Sequence, residues 1–299
     1  MTDAPTQRTV TITRTFNAPR ERVFRAWTEV EDLAQWWGPD GYAASVESDP
    51  HVGGTLNVVM RGPDGIALPM DAIYLEVQPP ELLVVKFTAL GADGRHLLEG
   101  MLRVTFAERG DHTEITLRTE ATALVPEAIA MLGGMSAGWN QSLQCLEDML
   151  NGTVDRQLVV TRLLPVPPDR VFAMWTNPDD LLKWWGPHGF TITHAETDIR
   201  PGGTWRFTMH GPDGVDYPNT IVYDEVKAPE RLVYTHLQPH FQSIVTFDEM
   251  MGMTALTVRL IFDTTHDRDL SVEQYRAQEG AEQTIARLAA LIEASAGAS

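Results

Sequence analysis

The side chains best placed to do chemistry in this chain of 299 residues are two histidines set among alternating apolar residues, a lone cysteine, and a serine between glycines. In Phe190-Thr191-Ile192-Thr193-His194 and Leu232-Val233-Tyr234-Thr235-His236, the histidine shares its parity with the apolar set. Successive side chains of a strand point to opposite faces, so both histidines are expected to face inward. The same rule turns Trp205, Phe207 and Met209 inward and Arg206, Thr208 and His210 outward. An inward histidine needs polar partners. His194 and His236 are therefore either hydrogen-bonded core residues or polar anchors for a ligand held among Phe190, Trp205, Phe207 and Tyr234.

Other chemistries find less support. No His-Glu-x-x-His is present, and His236 and His240 are four apart across a strand end rather than along a helix, so no metal site is expected. Gly134-Met135-Ser136-Ala137-Gly138 has the nucleophile-elbow spacing but lies within a helical segment, without the strand-to-helix turn that would expose the serine. Cys145 neighbours the inward Leu146, which suits packing. The glycine clusters lack a following Lys-Ser/Thr, and Gly62-Pro63-Asp64-Gly65 has turn chemistry, so no phosphate cradle and no cofactor is expected. No pair of carboxylates can be assigned a shared acid and base role, and no catalytic residue is singled out.

The elements that must position these groups come twice. Trp36-Trp37-Gly38-Pro39 recurs as Trp184-Trp185-Gly186-Pro187, and Val23-Phe24, Trp27-Thr28, Asp32-Leu33 and Gly41 recur as Val171-Phe172, Trp175-Thr176, Asp180-Leu181 and Gly189. The chain is thus read as a doubled domain, with copies at 1–152 and 153–299. A net charge of −18 is spread over both halves, which leaves no basic surface for nucleic acid or anionic lipid. The N-terminal Met1 to Thr9 is polar, and no stretch approaches the length of a membrane span. One cysteine forms no internal disulfide, which favours a reducing compartment. A cytoplasmic protein with no membrane partner is expected.

Within each copy the pattern is a strand, two short helices, six strands and a long C-terminal helix. Arg8 to Phe16 alternates with β-branched residues, Pro19 can open a first helix, and Gly38-Pro39 closes the second. Met135, Trp139, Leu143, Leu146 and Leu150 form one face of the last helix of copy one. In copy two, Ser271 and Gln274 have capping-box spacing and are expected to start a helix carrying Ala281, Ile285, Leu288 and Ile292. An antiparallel sheet of about seven strands has an apolar face to cover, and only the last helix is long enough, so an α+β fold with the sheet curled around that helix is expected.

These motifs, with Gly-Gly turns, Gly-Pro-Asp-Gly, a Glu-Val followed by a Pro-Glu turn and a final Gly138-Trp139, resemble the activator-of-heat-shock-protein-90-ATPase-like branch of the SRPBCC (START-like) superfamily. The resemblance implies two tandem helix-grip domains, each with a cavity for an apolar ligand between sheet and helix. It implies no single activity, since the superfamily includes carriers, cyclases, receptors and co-chaperone modules. Copy two departs from it at Gly280-Ala281, where the indole is missing. With Val46 and Phe87 aligned to His194 and His236, copy one looks filled and copy two roomier, with Ala281 as part of its pocket. The expected partner is an apolar or aromatic small molecule bound without turnover. A cyclase or hydrolase with a cavity histidine as base, and a co-chaperone acting on a heat-shock chaperone, are the alternatives.

Overall fold

The computed structural model describes residues 6–296, without the side chains of residues 194, 195 and 296. Contacts divide the chain into two compact units, Met1–Val154 and Asp155–Ser299. Unit one runs β1 (Gln7–Phe16), α1 (Arg20–Ala26), α2 (Val30–Trp36), β2 (Ala43–Ser48), β3 (Thr55–Arg61), β4 (Ala67–Gln78), β5 (Leu82–Leu90), β6 (His96–Arg109), β7 (His112–Ala123) and α3 (Ile129–Leu150). Its strands form one antiparallel sheet in the order β1-β7-β6-β5-β4-β3-β2.

Unit two repeats the order with β8 (Gln157–Leu164), α4 (Pro168–Thr176), α5 (Pro178–Trp184), β9 (Thr191–Thr197), β10 (Thr204–His210), β11 (Asp216–Lys227), β12 (Arg231–Leu237), β13 (His240–Met250) and β14 (Met253–Phe262). Its sheet order is β8-β14-β13-β12-β11-β10-β9. Two helices follow, α6 (Thr265–Tyr275) and α7 (Ala277–Ala296). The α+β helix-grip architecture is thus present in both units.

The same local physics sets each unit. The short helix pairs are locked by indole N–H groups: Trp36 Nε1 donates to Ala26 O at 2.8 Å, and Trp184 Nε1 donates to Met174 O at 3.2 Å. Aromatic rings bury large areas, and a buried indole N–H needs such a partner. The Gly-Gly turns are obligatory. A Cβ on Gly54 would sit 2.0 Å from Asp49 O, and one on Gly203 would sit 2.2 Å from Asp198 O. In each turn the preceding glycine, at φ +86 and +78, donates its N–H to the strand-borne Tyr74 O or Tyr223 O.

Each concave face closes on its long helix. Leu143 and Leu146 of α3 and Ile285, Leu288 and Ile292 of α7 are buried against their sheets. The units differ in two places. In unit one the β5–β6 hairpin is longer, and Leu98 and Phe87 pack there with Ala128 and Leu132 at the start of the helical segment. In unit two the helical segment is broken at Arg276, which adopts the left-handed conformation (φ 51).

That break corrects the expected start of the last helix. Ser271 does not cap it but lies buried inside α6, whose cap is Thr264, accepting from Asp267 N at 3.1 Å. The capping-box pattern requires Glu or Gln three positions on; here Asp267 stands in that place, and its backbone N–H is what Thr264 caps. Leu288→Ala should destabilise unit two by about 2–5 kcal/mol, because it empties a fully buried site on α7. Faster amide hydrogen exchange in β13 and β14 would report it, and unchanged protection would refute the packing described.

Candidate functional site

Unit two has a half-open cavity of about 240 Å³ between its sheet and the α6–α7 segment. Its walls are mainly apolar and include Trp175, Trp185, Phe207, Ile221, Tyr234 and Ala281. The matching space in unit one, among Trp27, Trp37 and Tyr74, amounts to about 10 Å³, roughly the room of a single water. The largest exchange is one side chain. Trp139 of α3 stacks on Trp27 at 6.1 Å and meets Trp37 edge-on at 5.6 Å. In unit two the equivalent indoles, Trp175 and Trp185, face Ala281 across open space. An apolar space of roughly 150 Å³ already admits a benzene-sized molecule.

Polar groups are few, and His236 is the best placed. It is 6 % exposed on β12 and lies flat against Phe241 at 4.7 Å. Its Nδ1 is 2.7 Å from Pro239 O, and its Nε2 is 2.7 Å from Asn219 Oδ1. Burial holds it below its ordinary value of 6.5, against an opposing pull from the Pro239 carbonyl and with a smaller push down from His240. Tyr234, two residues earlier on the same face, is pushed up to about 12 by burial, with Ser243 opposing. It is neutral at physiological pH. Asn219 of β11, Ser271 and Tyr275 of α6 and Thr284 of α7 add further polar side chains. Thr284 is committed to Gly280 O at 2.7 Å.

Of the residues singled out in the sequence, the cavity wall brings together Phe207, Tyr234, His236 and Ala281. Trp205 does not line it. It is 1 % exposed, pressed against Trp185 at 4.8 Å and Phe207 at 4.1 Å, and so supports the wall from behind. Phe190 is half-buried near Tyr217, 6.0 Å between rings, and does not line the cavity either. The backbone of His194 pairs with Phe207, and its side chain lies outside the described residues. Asn219, Phe241 and Ser271 line the cavity without having been singled out. Asn219 lies on β11 two residues before Ile221, the register partner of His236, and meets the ring diagonally, a contact only the strand register reveals.

Among the described residues no three His, Cys, Asp or Glu side chains gather to hold a metal. Ser136 lies inside α3, and Cys145 Sγ donates to Asp40 Oδ1 at 3.6 Å while packing on the core of unit one.

With fold and cavity in view, comparison with known proteins is decisive on kinship. Residues 17–151 and 165–293 each match the Activator of Hsp90 ATPase homolog 1-like protein family. The chain belongs to that family, in two tandem copies. Solved structures similar to it include a protein from Nitrosomonas europaea, 27% identical over 48% of this chain and 98% of that one, at a TM-score of 0.45. Others come from Mycobacterium smegmatis, 25% identical over 48% and 90% at 0.42, and Chromobacterium violaceum, 27% identical over 48% and 96% at 0.41. No curated protein matches the chain. Within the family architecture, unit two has the open space between sheet and helix, and unit one has it filled. Among the described residues no helix is long and apolar enough to cross a membrane.

The depressed pKa of His236 has a stability consequence. The folded state binds its proton less readily than the unfolded chain, so folding loses stability as pH falls below 6.5, the unfolded value, and keeps it in full above. An NMR titration of the ring should place its midpoint below 6.5 in the ligand-free protein. A midpoint at or above that value would overturn the burial account.

Proposed function

We propose that this protein binds an apolar or aromatic small molecule in the cavity of unit two, and that this binding, without turnover, is its function. One observation carries the reading: the space that Trp139 fills in unit one is left open in unit two, walled by indoles and lying between the sheet and α7. Apolar surface with a few convergent polar groups is what small-molecule sites offer. Phe207, Tyr234, His236 and Ala281 are its expected contacts, Trp205 supports them, and Phe190 stands at the flank. An acidic protein with one cysteine acting in the cytoplasm fits this role.

The enzymatic alternative asks for a cavity histidine free to take a proton from a substrate. Both ring nitrogens of His236 face carbonyl oxygens of the protein, Pro239 O and Asn219 Oδ1, rather than the cavity, which favours binding over turnover. A chaperone partner draws its support from the family name alone.

Native mass spectrometry of freshly purified protein should reveal a carried-through apolar ligand. Added 2-naphthamide, a neutral planar probe, should raise the melting temperature. Ala281→Trp, which restores the indole of unit one, should abolish both effects while leaving the fold intact by circular dichroism. Absence of any carried ligand together with no stabilisation of the unsubstituted protein would sink the proposal.

A further inference from the structure

Four groups stand in a row that starts in the cavity wall and ends at an exposed residue: the Pro239 carbonyl, the His236 ring, the Asn219 carboxamide and the Tyr217 carbonyl. His236 Nδ1 faces Pro239 O at 2.7 Å, His236 Nε2 faces Asn219 Oδ1 at 2.7 Å, and Asn219 Nδ2 donates to Tyr217 O at 2.7 Å. Both end groups are carbonyls and only accept. A neutral imidazole offers one donor and one acceptor, and a carboxamide offers a donor on one side and an acceptor on the other. Two donors therefore serve three contacts. Reversing the carboxamide moves the mismatch from the buried His236 to the exposed Tyr217 O, where two oxygens would then face each other. Only an imidazolium, donating from both nitrogens, satisfies the whole row.

Burial opposes that proton, and in the empty cavity burial prevails. The surroundings supply no compensating negative charge. Among the described residues no carboxylate lines the cavity. Beside His236 on its hairpin, His240 is paired with Asp263 Oδ2 at 2.8 Å, and Tyr234 on its own strand is neutral. Strand β11 brings Asn219 and Ile221, β13 brings Phe241, and α6 brings Ser271 and Tyr275. The guanidinium of Arg287 on α7 is committed to the carbonyls of Gly186, Pro187 and Phe190, and Arg287 does not itself line the cavity. Ser271, 5 % exposed, adds a hydroxyl to the same cavity.

We infer that the cavity of unit two selects apolar acids: molecules with an aromatic or aliphatic body and one carboxylate-type anion, taken up together with one proton that completes the Pro239–His236–Asn219–Tyr217 row. This rests on the binding function proposed above and names its ligand class. The anion supplies the charge the wall lacks, the Ser271 hydroxyl can donate to it, and the row gains its third donor. Binding raises the proton affinity of His236, so by linkage the anion binds more tightly as pH falls.

Isothermal titration with 2-naphthoate and with neutral 2-naphthamide tests this on the full chain, between about pH 6 and 8, where a carboxylate of ordinary pKa stays ionised. Buffers of different ionisation enthalpy report the protons taken up. Naphthoate affinity should rise by up to tenfold per unit fall in pH, with uptake of about one proton, while naphthamide affinity stays flat. In His236→Gln, and in Asn219→Leu should the first variant not fold, the pH slope and the proton uptake should vanish, whatever happens to absolute affinity. A flat naphthoate profile alongside naphthamide binding, or an unchanged slope in the folded variants, overturns the inference alone. Failure of both probes to bind overturns the underlying binding function and this inference with it.

Discussion

A seven-stranded antiparallel sheet with one apolar face has to be covered, and in each unit one long helix does most of the covering. A flat sheet of that width would leave its margins wet, so the strands curl until the concave face reaches the helix from both sides. That constraint explains the buried run on α3 and α7, the indole locks of the short helix pairs, and the glycines where strands approach one another. It also concentrates the choice between a solid core and a hollow one into a few helix-facing positions.

The two units make that choice differently with the same scaffold. In unit one Phe87 lies over Gly100, so close that a Cβ there would come within 2.6 Å of the ring. In unit two the corresponding cross-strand pair is His236 opposite Phe241, two rings stacked flat. Trp139 against Ala281 is the larger exchange. Phe87 also joins the lengthened β5–β6 hairpin in packing on the first turns of the helical segment, whereas unit two has a short hairpin and the break at Arg276. Volume removed from the helix and polarity added to the sheet occur in the same unit.

Much of this was legible from residue order. Strand alternation, the paired Trp-Trp-Gly-Pro stretches and the Gly-Gly turns gave the elements of both units, because period and turn chemistry are local and appear twice. The parity of Leu232 to His236 correctly turned His236 inward. What escaped depends on relations between elements. The left-handed residue that breaks the last helix is an arginine rather than a glycine, so no local signal marks it. Asn219 meets His236 only through the register of β11 with β12, which a bulge between Tyr223 and Glu225 shifts. Parity placed Trp205 on the inward face but could not tell a lining side chain from one packed behind the lining.

Arg287 gives the cavity a mechanical property. Its guanidinium grips the carbonyls of Gly186, Pro187 and Phe190, and so fastens the segment after α5 to the middle of α7. Unit one has Cys145 in this place, whose Sγ donates to Asp40 Oδ1. Trp185, Gly186 and Pro187 form one side of the hollow and Ala281 and Ile285 the other, so the two sides are strapped together at their rear edge. Both sides of the hollow therefore belong to one hydrogen-bonded piece rather than to two surfaces held by apolar packing alone.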